Sequence, residues 1–291
     1  MRVVLGCAAL AIAASSSAAG AAEPFLLSLQ KKGPWVADYD VDSCRLAAKF
    51  GTGEQEIMLL LARFSPGDEF QLSLAGRPLK RGESEVLLKI GFGPNQTLRE
   101  VWALTGTLGD KPLLLLGVQR LDGWEAPKRE GFVTPPAISP EQEEQVANLT
   151  LQLNRARAYR LELGSMRKPM AELRKCMNTL LNYWGYDPQV DAALTKRVVP
   201  VEAPSTWIRS ADYPSKALRK GLQGIVQFRL DVSEGGLVTG CRILARTSPD
   251  EFADETCRLL TRRARFEPAL DATGKPVKSY YVNRVRFLFG S

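Results

Sequence analysis

The stretch from Tyr213 to Phe289 constrains the fold more than any other part of the 291-residue chain. Polar and apolar residues alternate from Gly224 to Val232, which predicts a strand with one buried face. The sequence Glu234-Gly235-Gly236 then supplies a turn. A second strand, a helix and a last strand are predicted over residues 237–247, 249–265 and 279–289. The stretch therefore predicts an α+β unit.

The alternation also predicts which side chains of this unit form its core. On the first strand the apolar face consists of Val226, Phe228, Leu230 and Val232. The opposite face consists of Ile225, Gln227, Arg229 and Asp231. On the helix, Phe252, Leu259 and Leu260 are expected to face the sheet, and Arg262 and Arg263 to be exposed at its C-terminal end, where they complement the helix dipole.

The residues before this unit have a different pattern. Short apolar runs separated by Gly and Pro turns extend over residues 25–121, and they predict a sandwich or a barrel. A helix is predicted over residues 166–184, because its apolar residues recur every three or four positions. We therefore predict a mostly antiparallel β domain with a C-terminal helix over residues 23–187, a linker over 188–207, and a C-terminal domain over 208–291.

The first 22 residues have the pattern of a secretory signal peptide. Arg2 precedes an apolar segment over residues 3–14, and small residues fill positions 15–22. The apolar segment is too short for a permanent membrane span. Cleavage near Ala22 would leave an exported protein. An uncleaved anchor is the alternative, and association with a membrane is expected only in that case.

Four cysteines remain after such a cleavage: Cys44, Cys176, Cys241 and Cys257. An even number of cysteines in an exported chain predicts two disulfide bonds. The sequence permits three connectivities. If the two domains are separate, Cys44 pairs with Cys176 and Cys241 pairs with Cys257. Two buried thiols are the alternative for the second pair.

The composition disfavours catalysis. The chain has no histidine, which removes the commonest general base and metal ligand. Asp38, Asp40 and Asp42 form a carboxylate cluster, but they lack the Gly and the terminal Glu of a calcium loop. We therefore expect no enzymatic activity, no cofactor and no metal site.

The net positive charge lies in the C-terminal part of the chain. Residues 205–291 contain 15 basic and 9 acidic residues, whereas residues 23–204 contain 23 of each. An exported protein rarely meets nucleic acid, so this charge favours an acidic partner segment or an anionic lipid surface. A solvated basic surface is the alternative.

Several motifs mark the C-terminal unit. They are Tyr213-Pro214-x-x-Ala217 followed by Gly221 and Gly224, then Glu234-Gly235-Gly236, Arg265-Phe266-Glu267-Pro268-Ala269 and Gly274-Lys275-Pro276-Val277. Together they resemble the C-terminal domain of TonB-family energy transducers. The resemblance implies a small two-layer α+β domain in which a three-stranded antiparallel sheet packs on helices. It also implies a periplasmic domain that adds an extended partner segment to a sheet edge.

The same resemblance indicates the candidate binding residues. The final strand is the expected edge, and its predicted exposed face carries Tyr281, Asn283, Arg284 and Arg286. The complete predicted set is Tyr213, Pro214, Tyr280, Tyr281, Val282, Asn283, Arg284, Val285 and Arg286. An ordinary structural strand in a closed dimer or domain is the alternative for this edge.

Two departures from the transducer pattern limit what the resemblance implies. The N-terminal apolar segment looks cleavable, and a folded β domain replaces the long Pro-rich spacer. We therefore predict a periplasmic TonB-like protein that binds a protein or peptide, such as a TonB-dependent outer-membrane transporter, in transport across the envelope. The alternative is a periplasmic scaffolding protein that uses the fold to form a homodimer without energy transduction.

Overall fold

The structure is a computed structural model. It describes residues 25–93, 97–125, 135–154, 157–247 and 250–288. The predicted signal peptide and its cleavage site lie outside the described residues. Within these ranges the chain is mixed α+β, with a barrel formed by its N-terminal part and a small three-stranded sheet formed by its C-terminal part.

Nine strands form the closed barrel. They are β1 (Phe25–Tyr39), β2 (Cys44–Phe50), β3 (Ile57–Arg63), β4 (Phe70–Ala75), β5 (Glu85–Phe92), β6 (Arg99–Leu108), β7 (Lys111–Gln119), β8 (Asn148–Gln152) and β9 (Arg157–Glu162). Their order around the barrel is β1-β2-β3-β4-β7-β6-β5-β8-β9. Neighbours pair antiparallel except β1 and β9, which run parallel.

The prediction of a mostly antiparallel domain is therefore incomplete, because one parallel pair closes the barrel. The long strand β1 makes this closure. Residues 25–30 pair with β9, and residues 31–32 and 36–39 pair with β2. The register shifts between Lys32 and Val36, where Gly33 has a φ of 77°. The strand can bend there without steric cost and serve two neighbours.

The barrel is filled by the inward residues of its strands, and a helix extends this core. Alternate residues of β2 and β3 are buried, as the pleat requires. The helix α1 (Pro140–Gln145) begins with a capping box between Ser139 and Gln142. The helix α2 (Arg167–Tyr183) buries Met170, Leu173, Cys176, Met177 and Leu180 against the barrel core. A disulfide between Cys44 and Cys176 joins α2 to β2.

The remaining elements follow in chain order. They are α3 (Pro188–Ala192), β10 (Val199–Pro200), α4 (Ser215–Arg219), β11 (Gly224–Val232), β12 (Val238–Arg246), α5 (Asp250–Arg263), β13 (Phe266–Glu267), β14 (Ala269–Leu270), β15 (Pro276–Val277) and β16 (Ser279–Phe287). The main sheet has the order β12-β11-β16 and is antiparallel.

One face of this sheet packs on α5, as the alternation predicts. Val226, Phe228, Leu230 and Val232 are at most 2% exposed, and so are Phe252, Leu259 and Leu260 of the helix. The second disulfide joins Cys241 of β12 to Cys257 of α5, with their Cα atoms 5.6 Å apart. Both disulfides therefore join a strand to a helix within one part of the protein.

Residues 188–207, predicted as a linker, contain regular structure. Asp187 caps α3, β10 pairs with β13, and Arg197 makes two hydrogen bonds of 3.1 Å to the carboxylate of Asp191. Trp207 is 2% exposed and packs against Phe266. The segment thus forms part of the C-terminal core. Its elements are too short to show the periodicity by which helices and strands are predicted from sequence.

Candidate functional site

The outer edge of β16 is the first feature of the candidate site. All nine residues of β16 pair with β11 in an unbroken register, from Ser279 opposite Val232 to Phe287 opposite Gly224. Among the described strands none pairs with the other side of β16. That side of β16 is therefore an edge where a strand can be added. One backbone group of the strand, the N–H of Arg284, already donates a hydrogen bond of 2.8 Å to Asn283 Oδ1.

The other edge of the sheet is irregular. The pairing of β12 with β11 shifts register twice, between Gln227 and Phe228 and again between Asp231 and Val232. Each shift leaves one extra residue on β12, and these are Leu244 and Thr239. Bulges of this kind twist an edge and disfavour further pairing. The sheet therefore offers one straight edge, β16, and one blunted edge, β12.

The two faces of β16 differ from the predicted exposed face. Tyr281 and Val285 pack against the core on the helix side of the sheet, and Phe287 is 4% exposed there. The prediction of one exposed face is therefore wrong, because strand alternation divides its residues between the two faces. Tyr281 and Asn283 lie on the helix side, and of the four predicted residues only Arg286 is exposed. Asn283 Nδ2 donates a hydrogen bond of 2.6 Å to Tyr281 Oη. Tyr280, Val282, Arg284 and Arg286 occupy the opposite face.

The predicted tyrosines are held by packing within the chain. The ring of Tyr213 lies 5.4 Å from that of Phe252 and 5.7 Å from that of Phe287, and its hydroxyl donates to the carbonyl of Leu222. Pro214 is half-buried at the N-cap of α4. Tyr280 is 7% exposed and donates a hydrogen bond of 2.9 Å to Asp191 Oδ1. Their side chains have structural roles at this site.

The face of the sheet that is not covered by α5 lies against the barrel. Gln71 Nε2 of β4 donates a hydrogen bond of 2.5 Å to Gln227 Oε1 of β11. Arg242 Nε donates to Asp42 Oδ1 at 3.1 Å, and Arg286 lies 3.6 Å from Glu85. Gln227 is only 8% exposed as a result. The polar face of β11 is thus buried between two parts of the same chain.

A polar cluster fixes one end of this contact. Burial raises the pKa of Tyr186, and burial also raises the pKa of Tyr280, so both phenols stay protonated and can donate. The hydroxyl of Tyr186 lies 2.9 Å from Asp231 Oδ1 and 3.0 Å from the carbonyl oxygen of Ser279. Arg229 Nε lies 3.1 Å from the same carboxylate oxygen of Asp231. The cluster joins residues after α2 to the C-terminal sheet.

A cavity of about 420 Å³ opens between the barrel wall and the sheet. Its wall on the barrel side includes Trp102 and Leu104 of β6, which the predicted site residues did not include. A sequence signal for them exists, because β6 carries apolar residues on both faces: Val101 and Ala103 are buried in the barrel while Trp102 and Leu104 point outward. An apolar outer face predicts that something covers a strand. In the structure Leu104 is half-buried, whereas Trp102 is 63% exposed.

The aspartates near the start of β2 are engaged with arginines. Arg45 forms ion pairs with Asp38 and Asp40, and Arg242 pairs with Asp42. Within the described ranges no group of three or more His, Cys, Asp and Glu side chains could hold a metal ion. None of the helices in those ranges combines the length and the apolarity that a membrane crossing needs.

The C-terminal part is thus a small α+β domain with one straight, unpaired sheet edge. Residues 209–289 match the family described as Gram-negative bacterial TonB protein C-terminal. This match confirms the predicted resemblance for that part of the chain, and it leaves the barrel outside the matched range. A search of curated proteins found no match to the chain.

Proposed function

We propose that this protein binds an extended segment of a partner protein in the cell envelope by adding it as a strand to the outer edge of β16. The observation that carries the proposal is the contrast between the two sheet edges. β16 pairs over nine consecutive residues without a register shift, whereas β12 has two shifts. The family match over residues 209–289 supports the same reading.

The contacts of the predicted site residues support a mechanism based on the backbone. Strand addition draws its affinity from main-chain hydrogen bonds, and side-chain pockets beside the strand supply selectivity. Tyr213, Tyr280 and Tyr281 are occupied in packing, so they position β16 instead of contacting the partner. A slot beside the edge is lined by Val282 and Arg284 on one side and by Phe64 and Glu69 of the barrel on the other. This slot is the place for a partner side chain.

The proposed location is the periplasm. Both disulfides are bonds that persist in an oxidising compartment, and the predicted signal peptide accounts for export. The proposed partner class is an outer-membrane transporter, and the role is binding in transport across the envelope. Catalysis plays no part in the proposal.

Photo-crosslinking from the edge tests this function. A benzophenone side chain is placed at Val282 of the full chain in the cell that produces it, and a matched one at Thr239 on the blunted edge. We expect an adduct with an outer-membrane protein from residue 282 and none from residue 239. Adducts between two copies of this chain would contradict the proposal and favour the homodimeric scaffold.

A further inference from the structure

The cavity between the barrel and the C-terminal sheet has the walls of a ligand site. Its volume of about 420 Å³ is within the range of small-molecule sites, roughly 300–1,000 Å³. Trp102, Leu104 and Leu115 form an apolar wall on the barrel side, and Ile225 and Ala245 lie on the sheet side. Such a wall accommodates an aliphatic chain.

The charged groups in the cavity are all positive. Four arginines line it, Arg45, Arg246, Arg284 and Arg286, and none of the described residues that line it is a carboxylate. Three of these arginines form ion pairs with carboxylates that do not line the cavity. The pairs are Arg45 with Asp38, Arg246 with Asp250, and Arg286 with Glu85. The fourth, Arg284, forms no such ion pair among the described residues.

The guanidinium of Arg284 has no hydrogen bond and no ion pair within the part of the chain that the structure describes. It is half-buried beside Gly117, where an added Cβ would lie 3.5 Å from Arg284 Nη1. Burial, together with the nearby charge of Arg286, lowers the pKa of Arg284, and the charge of Glu69 opposes this shift without forming an ion pair. A half-buried cation with no hydrogen-bonded anion is costly, and an anion bound beside it would relieve that cost.

We propose that this cavity binds a small amphipathic anion, whose carboxylate or phosphate head pairs with Arg284 and whose aliphatic chain lies along Trp102 and Leu104. A planar guanidinium group can donate bidentate hydrogen bonds to either a carboxylate or a phosphate. The site shares Arg284 with the slot beside the edge of β16. Binding of the anion is measured with no partner protein present, so the two proposals can still fail independently.

Titration calorimetry of the full chain tests the site with four probes. Octanoate and octyl phosphate carry both parts of the ligand and distinguish the two heads. Acetate has the head without the chain, and 1-octanol has the chain without the charge. We expect octanoate, octyl phosphate or both to bind. Acetate and octanol should bind at least about tenfold more weakly. Equal binding of octanol, or no binding of either anion, overturns the proposal.

Variants locate the bound anion. Arg284→Gln should weaken its binding by about ten- to a hundredfold, because it removes charge-assisted hydrogen bonds. The matched control is Arg262→Gln on the exposed face of α5, which should leave binding unchanged. Leu104→Glu places a carboxylate in the apolar wall and should abolish binding. This second variant tests the site even if Arg284→Gln fails to fold. Unchanged binding in both cavity variants overturns the proposal.

The tryptophan in the wall supplies a second readout. Binding should change the fluorescence of the protein, and Trp102→Phe should remove most of this change while the heat of binding remains. If the fluorescence change is the same in Trp102→Phe, the chain of the ligand lies elsewhere and the assignment is wrong.

Discussion

The guanidinium of Arg229 lies 4.3 Å from the centre of the Trp184 ring. Arg229 belongs to the central strand of the C-terminal sheet, and Trp184 follows the helix that completes the barrel domain. Arg229 is 8% exposed, and it pairs with Asp231. This one side chain therefore joins the two parts of the protein, and it explains why a polar strand face can be buried.

Removing this arginine should loosen the contact between the barrel and the sheet. Arg229→Leu leaves Asp231 without its cation and removes a cation–π contact, so we expect a loss of about 2–4 kcal/mol in the free energy of unfolding. Urea denaturation measures it. Arg262→Gln on the exposed helix face is the control and should change stability by less than about 0.5 kcal/mol. Equal losses of unfolding free energy in the two variants would show that Arg229 does not stabilise the contact.

The turn between β11 and β12 should depend on one glycine. Gly236 has a φ of 76°, and an added Cβ would lie 1.9 Å from the carbonyl oxygen of Phe266. Gly236→Ala should therefore destabilise the protein by at least about 2 kcal/mol. Its neighbour is the matched control: a Cβ at Gly235 meets only Ser233 Oγ at 3.9 Å, so Gly235→Ala should be nearly neutral. Thermal unfolding of both variants checks this, and a similar loss in both would contradict it.

The acid stability should depend on Asp212. Arg263 donates hydrogen bonds of 2.6 and 2.9 Å to its two carboxylate oxygens, and this contact lowers the pKa of Asp212 to about 2. The folded pKa is depressed, so the stabilisation is fully present above the unfolded value of about 3.9 and is lost as the pH falls towards about 2.

Replacing Asp212 with asparagine removes this titration. The urea midpoint of the wild type should fall more steeply between pH 4 and pH 2 than that of Asp212→Asn, a window set by the two pKa values. Parallel pH profiles for the two proteins would be the contrary result.

The two disulfides should differ in what they contribute. Cys44 and Cys176 are 132 residues apart in the sequence, and Cys241 and Cys257 are 16 apart. Because the longer loop loses more entropy in the unfolded chain, we expect the Cys44→Ala/Cys176→Ala variant to lose about 5 kcal/mol and the Cys241→Ala/Cys257→Ala variant about 3 kcal/mol. Denaturant titrations give both values. A reversed ranking would mean that the folded state, and not loop entropy, sets the difference.

Local patterns were enough to predict much of the C-terminal domain. The alternation over residues 224–232 identified the buried set Val226, Phe228, Leu230 and Val232, and the structure confirms it. The motifs around Tyr213 and Phe266 predicted the resemblance that the family match over residues 209–289 confirms. These signals are local, and each depends on residues only a few positions apart.

Contacts between distant residues were not predictable in the same way. The parallel pairing of β1 with β9 joins Phe25 to Arg157, and nothing near either residue specifies the other. The burial of Gln227 and Arg229 depends on the barrel surface that covers them, so their polar character suggested solvent instead. The arginine-lined cavity was not predictable for the same reason, because the barrel strands that form one wall and the C-terminal strands that form the other are far apart in the sequence.

The most direct test of strand addition is hydrogen–deuterium exchange. It is measured on the complex of this protein with its partner, isolated by crosslinking at residue 282. An added strand forms main-chain hydrogen bonds, so the backbone amides of β16 that face its open edge should become protected. The amides of β12 should exchange as they do in the free protein. Protection of β12 or of α5, with β16 unchanged, would contradict strand addition at β16.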